Sequence, residues 1–528
     1  MAGIGFSLKR LFDKKGFLAL CRAYGYAGII CIGPMLLGVI LLVGISLIAR
    51  LGGLPAHERE LMNCMLTYSL LASLTFTSWL NMIITRFTSD MLYEEKSDRI
   101  IPSFFGSISI MLTADLVIYG IFLHFSGVSL ANQLLCLWFS LILIVVWTEI
   151  VYLTAIKDYQ AIVIAFTISL MSGFLLALIF VILGWVSIVS LMLCVILAYG
   201  ILMVWYLKLL LEYFPYSSGS CFSFLRWMDK YRSLALTGGF VNLGLFAHLV
   251  IMYFGPLAVQ VEGLFYGAPT HDVPALFAFF SILITTINFV TSVEVRFYPK
   301  YRNYYSLFND AGSIKDITQA ESEMLTVLKD ELTYNGHKQL ICTILFVVFG
   351  SYLLNILNMG FTDRSIGIYR FLCAGYGIYA IANSIMLILL YFEDYFGAML
   401  GTFVFAFVAI TLTILQNLYG NTIFFGLGFL IGAACFYLIV WIRLEWYTKR
   451  LAYFLLCRQA IVAHEEKGFF ASLCDRLDGR YERWAKQEEE RIEQEASERR
   501  KVREERLRRL QEKVEQAASS VDEAAEEL

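Results

Sequence analysis

Two acidic residues stand where the surrounding sequence offers them no water: Asp115 in "MLTADLVIYG" and Glu149 in "VVWTEIVYL". An ionisable side chain inside so apolar a stretch is expensive to bury, and as a rule it faces a cavity, a partner or an ion. One chemistry open to this pair is the binding of a coupling proton or sodium ion. The other is structural, with one acid pairing Arg22, Arg370 or a hydroxyl to hold helices together. His248, in "GLFAHLVIMY", reads as a hydrogen-bonded packing residue. Asn81, Asn242, Asn288 and Asn383 either line a cleft or join helices, and Asn81 and Asn288 recur near the ends of corresponding apolar runs. No P-loop lysine, HExxH, GxSxG or nucleotide-sugar motif is found, so the sequence carries no enzyme signature. No catalytic residue, metal ligand or cofactor site is expected beyond a coupling H+ or Na+.

The elements that must position these residues are transmembrane. Of 528 residues 59% are hydrophobic and 16% charged, with a mean hydropathy of +0.67. This excludes a soluble domain and predicts an all-α integral membrane protein. About twelve apolar runs are long enough to cross roughly 30 Å of hydrocarbon. They cover 24–49, 61–85, 101–124, 132–156, 160–183, 186–209, 234–260, 273–295, 339–358, 366–391, 396–417 and 420–442. Continuous rather than alternating apolarity selects helices over a barrel. The first run is too long for a cleaved signal peptide and lacks a small-residue cleavage site. The eleven cysteines lie mostly within apolar runs and never form CxxC, so they are read as buried thiols.

Basic residues orient the chain. Before Arg443, about nineteen Lys and Arg fall at the N-terminus and in every second loop, and about four on the other side. Both termini are therefore expected in the cytoplasm, with the protein in the cytoplasmic membrane. Arg296, Lys300 and Arg302 lie in "RFYPKYRNYY", whose mixture of cations and aromatics after a span fits positive-inside anchoring rather than nucleic-acid binding.

The stretch "CRAYGYAGIICIGP" opens the first run. Gly25, Gly28 and Gly33 permit close helix approach or bending, and Pro34 removes a backbone donor and kinks the helix. Arg22, Tyr24 and Tyr26 suit the cytoplasmic mouth, where basic groups snorkel and aromatic rings sit at the interface. Two readings stand: a helix that leans during gating, or an interfacial anchor followed by a packing kink. The halves also repeat. Arg22 and Arg232, and Arg86 and Arg296, are both 210 residues apart, and Asp158-Tyr159 recurs as Asp394-Tyr395. Six spans plus six make a parallel repeat, with a cleft between two bundles.

The segments "MAGIGFSLKRLF", "RAYGYAGIICIGP", "TRFTSDMLYEE", "VRFYPKYRNYY" and "YFEDY" resemble the PelG family, inner-membrane transporters of Pel exopolysaccharide systems within the multidrug/oligosaccharidyl-lipid/polysaccharide flippase superfamily. The resemblance runs over roughly residues 1 to 455. It implies two six-helix bundles and export of an amino-sugar polymer, or its precursor, through a central inter-bundle cleft. For a partly deacetylated, cationic chain, Asp115 and Glu149 would make a low-affinity track and Tyr24 and Tyr26 would stack on sugar rings. It also implies a cytoplasmic glycosyltransferase and membrane subunits of a synthase as partners, with Arg296, Lys300 and Arg302 as a docking surface. Two alternatives remain: a small-molecule efflux antiporter of the same fold, and a membrane scaffold of the synthase.

The expected organisation is a cytoplasmic segment 1–23, a first bundle 24–211, a linker 212–233, a second bundle 234–455 with a cytoplasmic loop 296–338, and a charged helical tail 470–528. In that tail Leu507, Leu510, Val514, Ala517 and Val521 alternate by three and four, a short coiled-coil stripe or one face of a single charged helix.

Overall fold

The computed structural model describes residues 38–156, 159–309, 312–352, 362–420, 424–458, 468–480 and 483. The chain divides into two units, residues 1–465 and 466–528. The described part of the second unit is residues 468–480 and 483, with a helix over 469–480 in which Cys474 Sγ donates to Asp478 Oδ2 at 3.2 Å. The stripe from Leu507 to Val521 lies outside the described residues.

In the first unit the apolar runs form helices. They are α1 (Gly38–Leu51), α2 (Ala56–Tyr93), α3 (Ile100–Phe125), α4 (Leu130–Ile156), α5 (Tyr159–Ile182) and α6 (Ile188–Tyr213). After a short α7 (Leu225–Lys230) come α8 (Arg232–Met252), α9 (Pro269–Phe279), α10 (Leu283–Ser292) and α11 (Tyr298–Asn309). The last are α12 (Ile314–Leu345), α13 (Asp363–Tyr391), α14 (Tyr395–Tyr419), α15 (Leu427–Thr448) and α16 (Leu451–Arg458). Side chains set several starts. Ser187 and Ser190 form a reciprocal capping box on α6, Ser313 accepts from Asp316 N on α12, and Asp394 accepts from Gly397 N on α14. Gly420, with φ +64°, ends α14 in the left-handed region that glycine reaches without strain.

Among the described residues, nine helical segments are long and apolar enough to cross a membrane; the interrupted run Pro269–Phe308 counts as one of them, and the more polar α2 is not among them. Their outward faces keep large side chains uncovered: Leu116, Val117, Ile118 and Ile121 of α3 are each more than half exposed. A helix satisfies its own backbone, so such a face is at home in lipid.

Helices α2 to α6 pack on one another, α4 lying between α2, α3 and α6. Helices α8 to α15 form a second group centred on α13, α14 and α15, filled by rings such as Phe405, Phe429 and Phe436. The groups meet where α2 lies along α8.

Several elements differ from the sequence reading. Helix α2 has 38 residues and extends past both limits of the 61–85 run. Helix α8 ends at Met252 instead of continuing to 260, because Gly255 and Pro256 turn the chain into a hairpin, β1 (Val259–Glu262) against β2 (Phe265–Gly267). The run 273–295 is not one helix: Pro274 lies inside α9, a 3-10 turn spans Phe280–Ile282, and a π turn follows at Val293–Phe297. The Ser281 carbonyl, in the 3-10 turn, accepts from Gln339 Nε2 at 3.3 Å and Cys342 Sγ at 3.4 Å, so α12 satisfies a group in the break. The expected loop 296–338 is largely helical, occupied by α11 and most of α12, and the linker 212–233 contains α7.

Candidate functional site

The line where the two helix groups meet is built by small residues. A Cβ on Gly238 would strike the carbonyl oxygen of Ser78, and one on Gly239 the ring of Trp79, so only glycine lets α8 approach α2 this closely. Asn242 of α8 donates to the Leu74 carbonyl of α2 at 3.4 Å and joins helices rather than lining a cleft.

Each end of this contact is tied by side chains. At one end Arg86 of α2 reaches three elements. Its Nε lies 3.0 Å from Asp90 Oδ1, its Nη1 donates to Glu393 Oε1 (3.1 Å) and to Tyr395 Oη (3.0 Å), and its guanidinium lies 5.2 Å from the Tyr231 ring centroid. Trp227 Nε1 of α7 donates to Asp90 Oδ2 at 2.8 Å. The neighbouring acid Asp394 faces its own group, where it takes two bonds from Arg443 of α15 at 2.6 and 2.9 Å. Glu393 adopts φ +61°, a strained position for a residue with a Cβ, and the turn sends these consecutive acids to different groups. At the other end Tyr68 of α2 stacks on Tyr253 at 5.4 Å, donates to the Tyr266 carbonyl (3.0 Å) and accepts from Tyr266 N (3.2 Å). Tyr68 and Arg86 are 18 residues apart on one helix, about 27 Å at 1.5 Å per residue, close to the roughly 30 Å of a hydrocarbon core. The two ties therefore sit far apart on α2, one near each end of the contact with α8.

Asp115 and Glu149 are fully buried in the first group. Asp115 Oδ1 accepts from Ser140 Oγ at 3.0 Å, and Oδ2 has no hydrogen-bond partner. Neither oxygen of Glu149 has one. Ser140 and Glu149 are nine residues apart on α4, about 13 Å along the axis, so the acids share a helix group without forming one site. Asn81 is half-buried with its Oδ1 unpaired. Arg370 donates to Ser351 Oγ at 3.3 Å rather than to either acid.

Asn288 lies elsewhere, in a polar brace across α10, α12 and α13. It donates to Asn335 Oδ1 (3.0 Å) and accepts from Lys338 Nζ (2.7 Å), and Asn335 donates to Ser384 Oγ (3.3 Å). Thr285 donates to Gln339, which donates to Thr343 Oγ1 at 3.0 Å. Asn335, Lys338 and Gln339 went unseen in the sequence because "NGHKQ" stands at the polar edge of an apolar run.

Arg296 donates to Glu331 (2.6 Å) and Lys300 to Glu323 (2.7 Å), tying the π turn and α11 to α12, while Arg302 is exposed. Outside the membrane, the hydrogen bond from Lys300 holds the Glu323 carboxyl below the usual range. Arg22, Tyr24, Gly25, Tyr26, Gly28, Gly33 and Pro34 lie outside the described residues.

The sequence profile of the PelG family, described as an exopolysaccharide exporter (EPS-E), matches residues 1–455. No curated protein matches the chain. Among solved structures the fold is similar to a MOP superfamily transporter from Pyrococcus furiosus, with TM-score 0.54, 10% identity, and coverage of 81% of this chain and 96% of that one. It is also similar to a multidrug resistance MATE family transporter of the MOP superfamily in its outward-facing conformation, with TM-score 0.54, 11% identity, and coverage of 84% and 98%. The inward-facing conformation of such a transporter gives TM-score 0.50, 10% identity, and coverage of 80% and 99%. The fold is thus that of MOP superfamily transporters, and the chain is an integral membrane protein that belongs to the PelG exopolysaccharide exporter family.

Proposed function

We propose that this protein exports an amino-sugar exopolysaccharide across the cytoplasmic membrane by rocking its two helix bundles about the α2–α8 contact. The observation that carries this reading is the pair of ties, Arg86 with Glu393 and Tyr395 at one face and Tyr68 with Tyr253 and Tyr266 at the other. Opening toward either side must break one of them. The excess of basic residues supports an orientation with the Arg86 end in the cytoplasm, together with both termini. A polymer carrying free amines would find counter-charges in Asp115 and Glu149 once the first bundle opens, since both acids are fully buried in the arrangement described and three of their oxygens have no hydrogen-bond partner. A cytoplasmic glycosyltransferase would deliver the chain, and exposed Arg302 is the part of the basic cluster left for docking.

The test compares polymer outside cells, or inside sealed inverted vesicles, with and without the protein while synthesis is held constant. Polymer retained on the synthesis side in its absence supports export. Equal export without it overturns the reading and leaves a scaffold role or drug efflux.

A further inference from the structure

The hairpin of β1 and β2 is rooted in the second bundle and seated on the first. One root follows α8, where Asn417 of α14 donates to the Ile251 carbonyl at 2.6 Å and a Cβ on Gly255 would strike the Asn417 side chain. The other root opens α9. Ala268 N donates to Asp272 Oδ2 at 3.0 Å, and His271 lies 3.4 Å from His248 of α8, itself 3.2 Å from the Tyr376 hydroxyl of α13. The seat is made of main chain. At the turn Leu264 N donates to the Ser126 carbonyl, just past α3, at 2.7 Å. His57 Nε2 of α2 lies 3.0 Å from the Val261 carbonyl oxygen, and Tyr68 Oη both donates to the Tyr266 carbonyl and accepts from Tyr266 N. Four main-chain groups of the hairpin are thus completed by three residues of the first bundle.

Each partner in this seat needs the other. A two-stranded hairpin is marginal by itself, and its strand edges carry donors and acceptors that must be satisfied. The last carbonyls of a helix likewise lack partners within the helix, so the bond from Leu264 to Ser126 completes both elements. Gly263 makes the approach possible: at φ +56° it occupies the left-handed region, and a Cβ there would strike the Ser126 carbonyl oxygen. Behind the turn Phe265, fully buried, packs its ring 4.9 Å from that of Tyr68 and 6.0 Å from that of Phe122 of α3. A ring carried by the second bundle therefore fills a hollow lined by the first.

We propose that the hairpin is a latch: an arm carried by the second bundle that closes the seam at the Tyr68 end of the α2–α8 contact and lifts as one unit before the bundles part there. The inference rests on the rocking reading, which requires that end to open, and every bond of the seat crosses the line of opening. Because both roots are fixed to α8, α9 and α14, separation falls at the seat. The arm leaves with the second bundle and keeps its own ladder, which pairs Val259 with Gly267 and Gln260 with Tyr266. Leu264 N and Tyr266 N then turn to water together, and Phe265 leaves the rings of Tyr68 and Phe122 uncovered.

The test uses the full-length protein in lipid nanodiscs, with amide exchange read residue by residue by mass spectrometry with electron-transfer fragmentation. In the wild type the Leu264 and Tyr266 amides, held by different partners, should share one protection factor, about tenfold or more below that of amides in the middle of α8 and α13. A short bismaleimide link between cysteines replacing His57 and Val261 should raise the protection of both amides by about tenfold or more. In cells the same link should lower export by a similar factor relative to either single-cysteine variant. Protection of Leu264 and Tyr266 equal to that of α8 and α13, or two unrelated protection factors, overturns the latch, and so does a linked protein that exports like the single variants. The wild-type measurement needs no variant to fold. The latch and the export reading also fail separately: equal export with and without the protein removes export, while the exchange result, which involves no polymer, still decides the latch.

Discussion

Arg86 makes one end of the bundle contact depend on guanidinium geometry and not on charge alone. Its nitrogens address Asp90, Glu393 and Tyr395 in different directions, which the single ammonium of a lysine cannot reproduce. Arg86→Lys and Arg86→Ala should both speed amide exchange at the start of α8 several-fold, with Lys only partly protective. Mass-spectrometric exchange in nanodiscs reads this, and protection equal to wild type in both variants would remove the tie. The buried acids behave differently. Glu149 has no ion partner to lose, so Asp115→Asn with Glu149→Gln should leave abundance and thermal unfolding near wild type while export falls by about tenfold or more, the size of a lost charge contact of roughly 1.4 kcal/mol. Export unchanged in a well-expressed double variant would count against both carboxyl groups as ligands. Asp115 and Glu149 were visible in the sequence because an acid inside an apolar run is conspicuous. The pairing of His248 with His271 was not, because it joins residues 23 apart on different helices and only packing brings them together.

The elements were readable in proportion to how strictly apolarity governs them. Each described run between 101 and 209 became a helix within a few residues of its expected limits, since length and apolarity suffice for a span. The breaks in 273–295 escaped notice because hydropathy records whether a segment tolerates lipid and not how its backbone is hydrogen-bonded. Those breaks depend on α12, whose side chains satisfy the Ser281 carbonyl and brace Asn288. Asn335→Ala removes an amide that bridges α10 and α13, leaving the Asn288 amide unpaired at a cost of about 1–3 kcal/mol. The thermal midpoint in nanodiscs should fall accordingly, and an unchanged midpoint would show the brace to be dispensable. The Lys300–Glu323 tie of α11 to α12 carries a pH dependence of known sign. Because the folded carboxyl is held below its ordinary range, the tie contributes fully above the unfolded-state range and is lost as pH falls through the folded value. Amide exchange in α11 should rise on acidification in the wild type, and Lys300→Ala should lack that component.

At the level of the whole molecule, the two bundles are held together by glycine packing along α2 and α8 and by a tie at either end of that contact. Gly238→Ala places a methyl against the Ser78 carbonyl and should destabilise by about 1–3 kcal/mol, measured as a lowered unfolding midpoint. If the bundles rock, a short bismaleimide link between cysteines replacing Tyr68 and Tyr253, or Arg86 and Glu393, should arrest export in either case. Export surviving both links would exclude rocking about this contact. The repeat legible in the sequence does not extend to partners: Arg86 crosses to the other bundle, whereas Arg296, its counterpart 210 residues on, pairs with Glu331 in its own. Equal positions can thus do unequal work, because each bundle presents a different neighbour to the same arginine.

Helix α2 has 38 residues, about 57 Å of rod, almost twice the roughly 30 Å of a hydrocarbon layer. Such a rod is a lever. Pivoting by about 10° around its middle would swing each tip by about 5 Å, close to the rise of one helical turn. A subunit gripping the Arg86 end of that rod would need no contact with the translocation path to decide when it opens.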